Sequence, residues 1–275
     1  MDWSKAKNVS IIAFTMLNAT LMLLLYLNSR QYVLGSDNQR AIITVLNNNN
    51  ITLSYDFNFI SSEPRRNISL TNHNMSQNAL VSIFMINNSN ILIDIGESEV
   101  TFYNDYEMVM FTLGNTHYKN INNNDNYLPT LTDKRRFSTY IIASLGDIGR
   151  YFLLDTTKQI QNGYVLTYRQ AYRNNLIYSN FITFTFYDSN IYSIDFLLNP
   201  AYAFLGNLRQ IYPNDEVLLT FMRKYKNENT PIKINSIDIV YNAQGLVATP
   251  YYRVTYTKHN MTRTMLINAR VNVVN

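Results

Sequence analysis

Residues 1–30 read MDWSKAKNVSIIAFTMLNATLMLLLYLNSR, and the fate of this stretch decides the architecture of everything behind it. From Asn8 to Ser29 no side chain is charged. The apolar part, Val9 to Leu27, rises about 28 Å as a helix, close to the ~30 Å hydrocarbon core of a bilayer. The apolar region of a secretory signal is shorter, about 7–15 residues. No A-x-A cleavage site follows, and the nearest small-residue candidate, Val33-Leu34-Gly35, lies beyond Arg30. Without any cysteine a lipoprotein anchor is excluded. The stretch therefore reads as a retained transmembrane helix over residues 8–29, with a cleaved signal as the competing reading. Lys5 and Lys7 favour the cytoplasmic side for the short N-terminus, residues 1–7, and Arg30 opposes them weakly. Everything from residue 30 onward is expected outside the cytoplasm, on the far face of the cell membrane.

The span carries Asn8, Ser10, Thr15, Asn18 and Thr20. At 100° per residue, Asn8, Thr15 and Asn18 fall within about 80° of one another. A side-chain amide in lipid gains about 1–2 kcal/mol or less from a partner on a facing helix, so these three are the candidate contact face for another transmembrane helix. The competing reading is that the polar side chains bond back to their own helix.

Behind the span about 245 residues remain, enough for one large domain or two small ones. They carry 21 basic and 18 acidic residues, too even a balance for a nucleic-acid surface. The basic clusters, Arg65-Arg66, Lys134-Arg135-Arg136 and Arg223-Lys224 with Lys226, read as solvated faces. With no cysteine, disulfides, thiolate metal sites and a Cys nucleophile are all excluded. The 39 asparagines include runs at 47–50 and 122–124, which mark loops.

Local patterns predict an α+β exterior of antiparallel sheets with a few helices. SDNQRAIITVLN reads as a short helix capped by Ser36 or Asp37. ITLSYDFNF alternates as a strand over 51–59. LVSIFMI, NILIDI, EVTFY and EMVMFTL, separated by NNS, GES and ND, read as an antiparallel meander. NINNNDNYLPTLTD marks an internal boundary, dividing lobes at 30–130 and 131–275. Phe137, Ile141, Leu145, Ile148 and Phe152 continue one helical stripe from a cap at Thr132 or Asp133, weakened by Gly146 and Gly149. GYVLTYRQAY and LIYSNFITFTFYDSNIYSIDFLL give three strands with a turn at 188–190. PNDEVLLTFMRKYK is a helix capped by Asn214, with acids first and bases last. Three closing strands follow, with residues 251–254 and 266–269 paired as a hairpin.

Chemistry is hard to find. His73, His117 and His259 sit in no G-x-S-x-G or H-E-x-x-H context and have no metal-ligand spacing. Asp94, Glu97, Glu99, Asp105 and Glu107 cluster along the meander. They read as charged turns that keep sheet edges solvated, a weak cation site being the alternative. No Gly-rich phosphate loop occurs. The 22 Tyr and 14 Phe read as strand filling or as a protein-binding face. No cofactor, metal or catalytic residue is expected, and the chain is not expected to be an enzyme.

The opening Asp2-Trp3-Ser4-Lys5 with Lys7, running straight into one span, resembles the YycI (WalI) family of accessory regulators of the WalK–WalR two-component system. YRQAYRNNLIYSN (168–180) resembles that family's Tyr-x-Gln segment before a strand. TPYYRVTY (249–256) and LINA (266–269) resemble its Pro-aromatic-Arg-Val and Asn-Ala strands, although the pair after the proline is Tyr251-Tyr252 here. The resemblance implies a non-enzymatic, single-pass signalling protein. It would join a YycH-like membrane protein and a WalK-type sensor histidine kinase through transmembrane and extracytoplasmic contacts, tuning cell wall metabolism. A membrane-tethered wall-binding or hydrolytic protein is the alternative.

Overall fold

The computed structural model describes residues 3–30, 32–72, 75–85, 90–112, 115–120, 130–187, 192–226, 228 and 230–274; of residues 3–6, 25 and 27–30 it describes the backbone alone. The chain forms two compact units, each assembled from separated segments: Met1–Arg66, Asn207–Asp238 and Pro250–Asn275 in one, Asn67–Gly206 and Ile239–Thr249 in the other. The sequence reading placed one boundary at 130/131. A scan along the chain sees contiguous stretches and has no signal for a polypeptide that leaves a unit and returns to it.

The first unit begins with helix α1 (Trp3–Arg30) and helix α2 (Ser36–Asn47). The expected cap at Ser36 or Asp37 is corrected to Gly35, which holds an extended backbone and makes no side-chain cap bond. Strand β1 (Ile51–Leu53) follows and pairs parallel with the start of a later strand, Ile51 opposite Ile232. The alternation expected to run to residue 59 stops at Leu53, and Tyr55 is 100% exposed. Helix α5 (Asn214–Tyr225) is capped by Pro213 rather than Asn214. Asn214 is instead fully buried, where its amide donates to the Ile60 carbonyl at 2.6 Å. Its acids, Asp215 and Glu216, and its bases, Arg223 and Lys224, do flank the helix as expected, each near the dipole end of opposite sign. Helix α2 packs on α5 and β1, burying Ile42, Leu46, Val217, Leu218 and Phe221. The closing strands are β12 (Ile232–Gln244), β13 (Val247–Lys258) and β14 (Met261–Asn268). The expected hairpin forms, with Tyr251 opposite Asn268 and Val254 opposite Met265. Its two-residue turn, His259-Asn260, has φ of 51° and 59°, the left-handed pair that matches strand twist.

The second unit takes up strand β2 (Arg65–Leu70) and helix α3 (Gln77–Phe84), then the meander β3 (Leu92–Ile95), β4 (Glu99–Tyr103), β5 (Glu107–Thr112) and β6 (Asn115–Asn120). The stretch from Leu80, expected as a strand, is helical to Phe84. The Ser76 hydroxyl accepts from the Ala79 N–H and nucleates the turn, and Leu80, Val81 and Phe84 share one buried side. Helix α4 (Leu131–Ser144) is capped two or three residues earlier than expected, by Thr130 in a reciprocal box with Asp133. The stripe does not continue to Phe152. Gly146 leaves the helix at φ 64°, and a 3-10 turn (Gly149–Tyr151) packs so closely that a Cβ on Gly149 would sit 1.9 Å from the Ile142 carbonyl oxygen. Phe152 opens strand β7 (Phe152–Ile160), followed by β8 (Gly163–Tyr172), β9 (Asn175–Tyr187), β10 (Tyr192–Leu197) and β11 (Ala201–Arg209). The sequence reading has no counterpart for strands β2, β6, β7 and β11. The turns at 87–89 and 188–190 and the Asn-rich loop 122–124 lie outside the described residues.

Strands β7, β8, β9, β10, β6, β5, β4 and β3 pair in that order, every neighbour antiparallel. This is the α+β, antiparallel-dominated fold the sequence predicts, behind one N-terminal apolar helix. Two rows of side chains cross the sheet in register. One is Leu166, Phe184, Ile194, Tyr118, Val109, Phe102 and Ile93; the other is Tyr168, Ile182, Phe196, Thr116, Phe111, Val100 and Ile95. Side chains of α3 and α4 cluster against these rows.

Candidate functional site

Helix α1 is long and apolar enough to cross a membrane, and none of the described protein covers its spanning stretch, Lys7–Leu24. Three of its polar side chains bond back to their own helix. The Thr15 hydroxyl donates to the Ile11 carbonyl at 2.8 Å, the Asn18 amide to Phe14 at 3.0 Å and the Thr20 hydroxyl to Met16 at 2.9 Å. Back-bonding satisfies a hydroxyl but only part of an amide: Asn18 keeps its carbonyl oxygen and a second N–H. Of the candidate contact face Asn8, Thr15 and Asn18, then, Thr15 is the one its own helix satisfies, and Asn18 keeps part of its amide for a facing helix.

The ionisable candidates scatter. His73 lies outside the described residues. His259 occupies the β13–β14 turn. His117 faces Asp195 across β6 and β10, Nδ1 to Oδ1 at 2.5 Å, on a part-exposed face of the sheet. Asp94, Glu97, Glu99 and Asp105 are exposed. Glu107 departs from the expectation of a charged turn: it is buried and accepts from the Tyr118 hydroxyl at 2.8 Å. The Tyr118 and Tyr192 hydroxyls lie 3.2 Å apart, and burial raises both phenols, Tyr192 to about 12. Among the described residues no three His, Asp or Glu side chains gather as metal ligands. Lys134, read from sequence as part of a solvated face, is buried, with its ammonium 5.6 Å from the centre of the Tyr164 ring.

The segments that carry the family resemblance are built into the folded core. In 168–180, Gln170 and Asn180 are buried and joined: the Asn180 amide donates to Gln170 Oε1 at 2.8 Å and to the Asn199 carbonyl at 2.5 Å, while the Ala201 N–H donates to Gln170 Oε1 at 3.3 Å. Next to Gln170, Arg169 bonds Asp155 at 2.9 Å and lies 3.6 Å over the Tyr178 ring. In 249–256, Tyr251 and Tyr252 are buried, and the Tyr252 hydroxyl donates to the Tyr212 carbonyl at 2.6 Å. Arg253 holds Asp238 bidentately, with Nε and the terminal nitrogen each at 2.9 Å. The strand-forming Tyr and Phe are thus mainly filling and fastening.

One open cleft of about 420 Å³ in the first unit is lined by Gln39, Ile43, Leu53, Ser54, Tyr55 and Phe57 among others. It offers aromatic and amide groups and no ionised side chain, an arrangement suited to binding.

No family model matches the chain, and no curated protein matches it. Among solved structures, the chain is similar to an uncharacterized protein from Eubacterium rectale, with a TM-score of 0.57 at 9% identity, over 86% of this chain and 98% of that one. That likeness shows a shared fold. YycH from Bacillus subtilis aligns at a TM-score of 0.45 and 11% identity, over 74% of this chain and 53% of its own. The C-terminal domain of YpeB from Bacillus megaterium aligns at 0.43 and 12%, over 74% and 96%.

Proposed function

We propose that this protein is a single-pass, membrane-anchored accessory regulator. It associates with a YycH-like membrane protein and a WalK-type sensor histidine kinase and adjusts two-component signalling that controls cell wall metabolism. It acts by binding rather than catalysis, with its N-terminus cytoplasmic and its β-rich body outside. The observation that carries the reading is α1, an apolar helix of membrane-spanning length that no part of the described protein covers, opened by the Trp-Ser-Lys signature that resembles the YycI family. The Gln170–Asn180 network and the Arg253 clamp add to it, because they give the other two resembling segments defined structural work.

The mechanism is a population shift. A helix and an exterior body that bind one kinase state about 1–3 kcal/mol better than the other change output roughly 5–150-fold. Co-purification from membranes in mild detergent tests it: the kinase and a YycH-like protein are expected together with this chain. Recovery of the intact protein alone, with wall-hydrolase expression unmoved by its deletion, contradicts the reading.

A further inference from the structure

The sheet of the second unit ends at β3, and the end is unfinished. Both core rows run buried or half-buried through β8, β9, β10, β6, β5 and β4, then emerge at Ile93, 58% exposed, and Ile95, 76% exposed. Leu92, on the opposite face, is exposed as well. Among the described residues no strand pairs with the outer edge of β3.

That edge has a defined hydrogen-bonding phase. The Gly96 N–H donates to the Glu99 carbonyl at 2.9 Å. Antiparallel pairs alternate between bonded and non-bonded, so Asp94 with Thr101 and Leu92 with Tyr103 are the bonded pairs of β3 and β4. Ile93 and Ile95 therefore turn their N–H and C=O groups outward. Of the devices that protect an edge, β3 has no lysine, proline or bulge; it is short, and its one charged side chain is Asp94. Charge selects the occupant. Residues 67–118 contain five acids, Asp94, Glu97, Glu99, Asp105 and Glu107, and no Lys or Arg. Asp94 sits in β3, and Glu97 and Glu99 close its hairpin. A second copy offering the same strand would bring the same acids to the joint.

We propose that the outer edge of β3 takes an extended strand from another protein, one that alternates apolar residues with Lys or Arg. The incoming backbone pairs with Ile93 and Ile95, its apolar side chains extend the two core rows, and its bases face Asp94, Glu97 and Glu99. The inference does not depend on the function proposed above.

The test uses the full-length protein in a neutral detergent at low ionic strength. Fluorescence anisotropy follows a labelled short peptide that alternates lysine and valine, against the same peptide with glutamate for lysine. The lysine peptide is expected to bind, and the glutamate peptide to bind at least about tenfold more weakly. Ile95→Pro removes an outward N–H without touching the β4 ladder, and Ile95→Lys places a charge in the core row that the incoming apolar side chains extend. Each is expected to weaken binding by at least about tenfold while circular dichroism and thermal melting stay unchanged. The proposal is overturned by equal binding of the two peptides, by no binding of either, by a correctly melting Ile95→Lys variant that binds as wild type does, or by a dimer of this chain that Ile95→Lys dissociates.

Discussion

Two arginine–aspartate pairs make similar bonds but differ in environment, and that difference sets what their loss costs. Asp155 and Arg169 are 6% and 12% exposed, whereas Asp238, the partner of Arg253, is 39% exposed. Removing one partner of a buried pair strands the other charge away from water. Asp155→Ala is expected to cost about 3 kcal/mol, and Asp238→Ala about 1 kcal/mol, because water reaches the second site. Urea denaturation of the two variants checks the ratio, and equal losses would contradict it. The buried phenols make a second prediction. A phenol raised in the folded state contributes stability that is whole below its unfolded pKa near 10 and is lost as pH rises through the folded value. For Tyr192 that window runs from about 10 to about 12, and Tyr118 extends it upward. Alkaline unfolding curves should therefore fall steeply above pH 10, and Tyr192→Phe should flatten the fall.

At the scale of elements, two helix ends carry more than their size suggests. Ser76 caps α3, and Ser76→Ala should cost about 1 kcal/mol in thermal or urea unfolding. Gly149 lets the 3-10 turn press against α4, so Gly149→Ala must displace the backbone at Ile142 and should cost about 1–3 kcal/mol. In α1, Asn18→Leu leaves the span apolar and helical. If the amide meets a facing helix, the variant inserts normally and loses co-purifying partner; unchanged recovery of partner removes Asn18 from the contact. Elements were legible where one periodicity ruled, as in the span, in α5 with its charged ends and in the closing hairpin. They were misread where a local device outweighed the pattern. One Ser cap turned an alternating run into α3, and a glycine at positive φ cut a helical stripe before Phe152. Strand β6 was missed because NTHYKN holds one buried aromatic, Tyr118, among polar residues.

At the scale of the molecule, the sequence predicts an apolar N-terminal helix of membrane-spanning length and an α+β fold dominated by antiparallel sheet, and the structure has both features. The discontinuous units were not legible, since nothing in a linear pattern marks where β2, β12 and β13 leave one unit for the other. Nor was the exposed edge at β3, because LIDI reads like any strand until its neighbours are known. Glu107 was hidden for a similar reason: its burial depends on Tyr118, a partner on the next strand. The central claim is a retained helix holding the β-rich body outside the cell, and the absence of cysteine makes it directly measurable. Tyr55→Cys, at a fully exposed position, should react with a membrane-impermeant maleimide as fully in intact cells as after lysis, while Ser4→Cys should react only after permeabilisation. Reaction of Tyr55→Cys only after lysis, or recovery of a mature chain that begins beyond Arg30, would contradict the account.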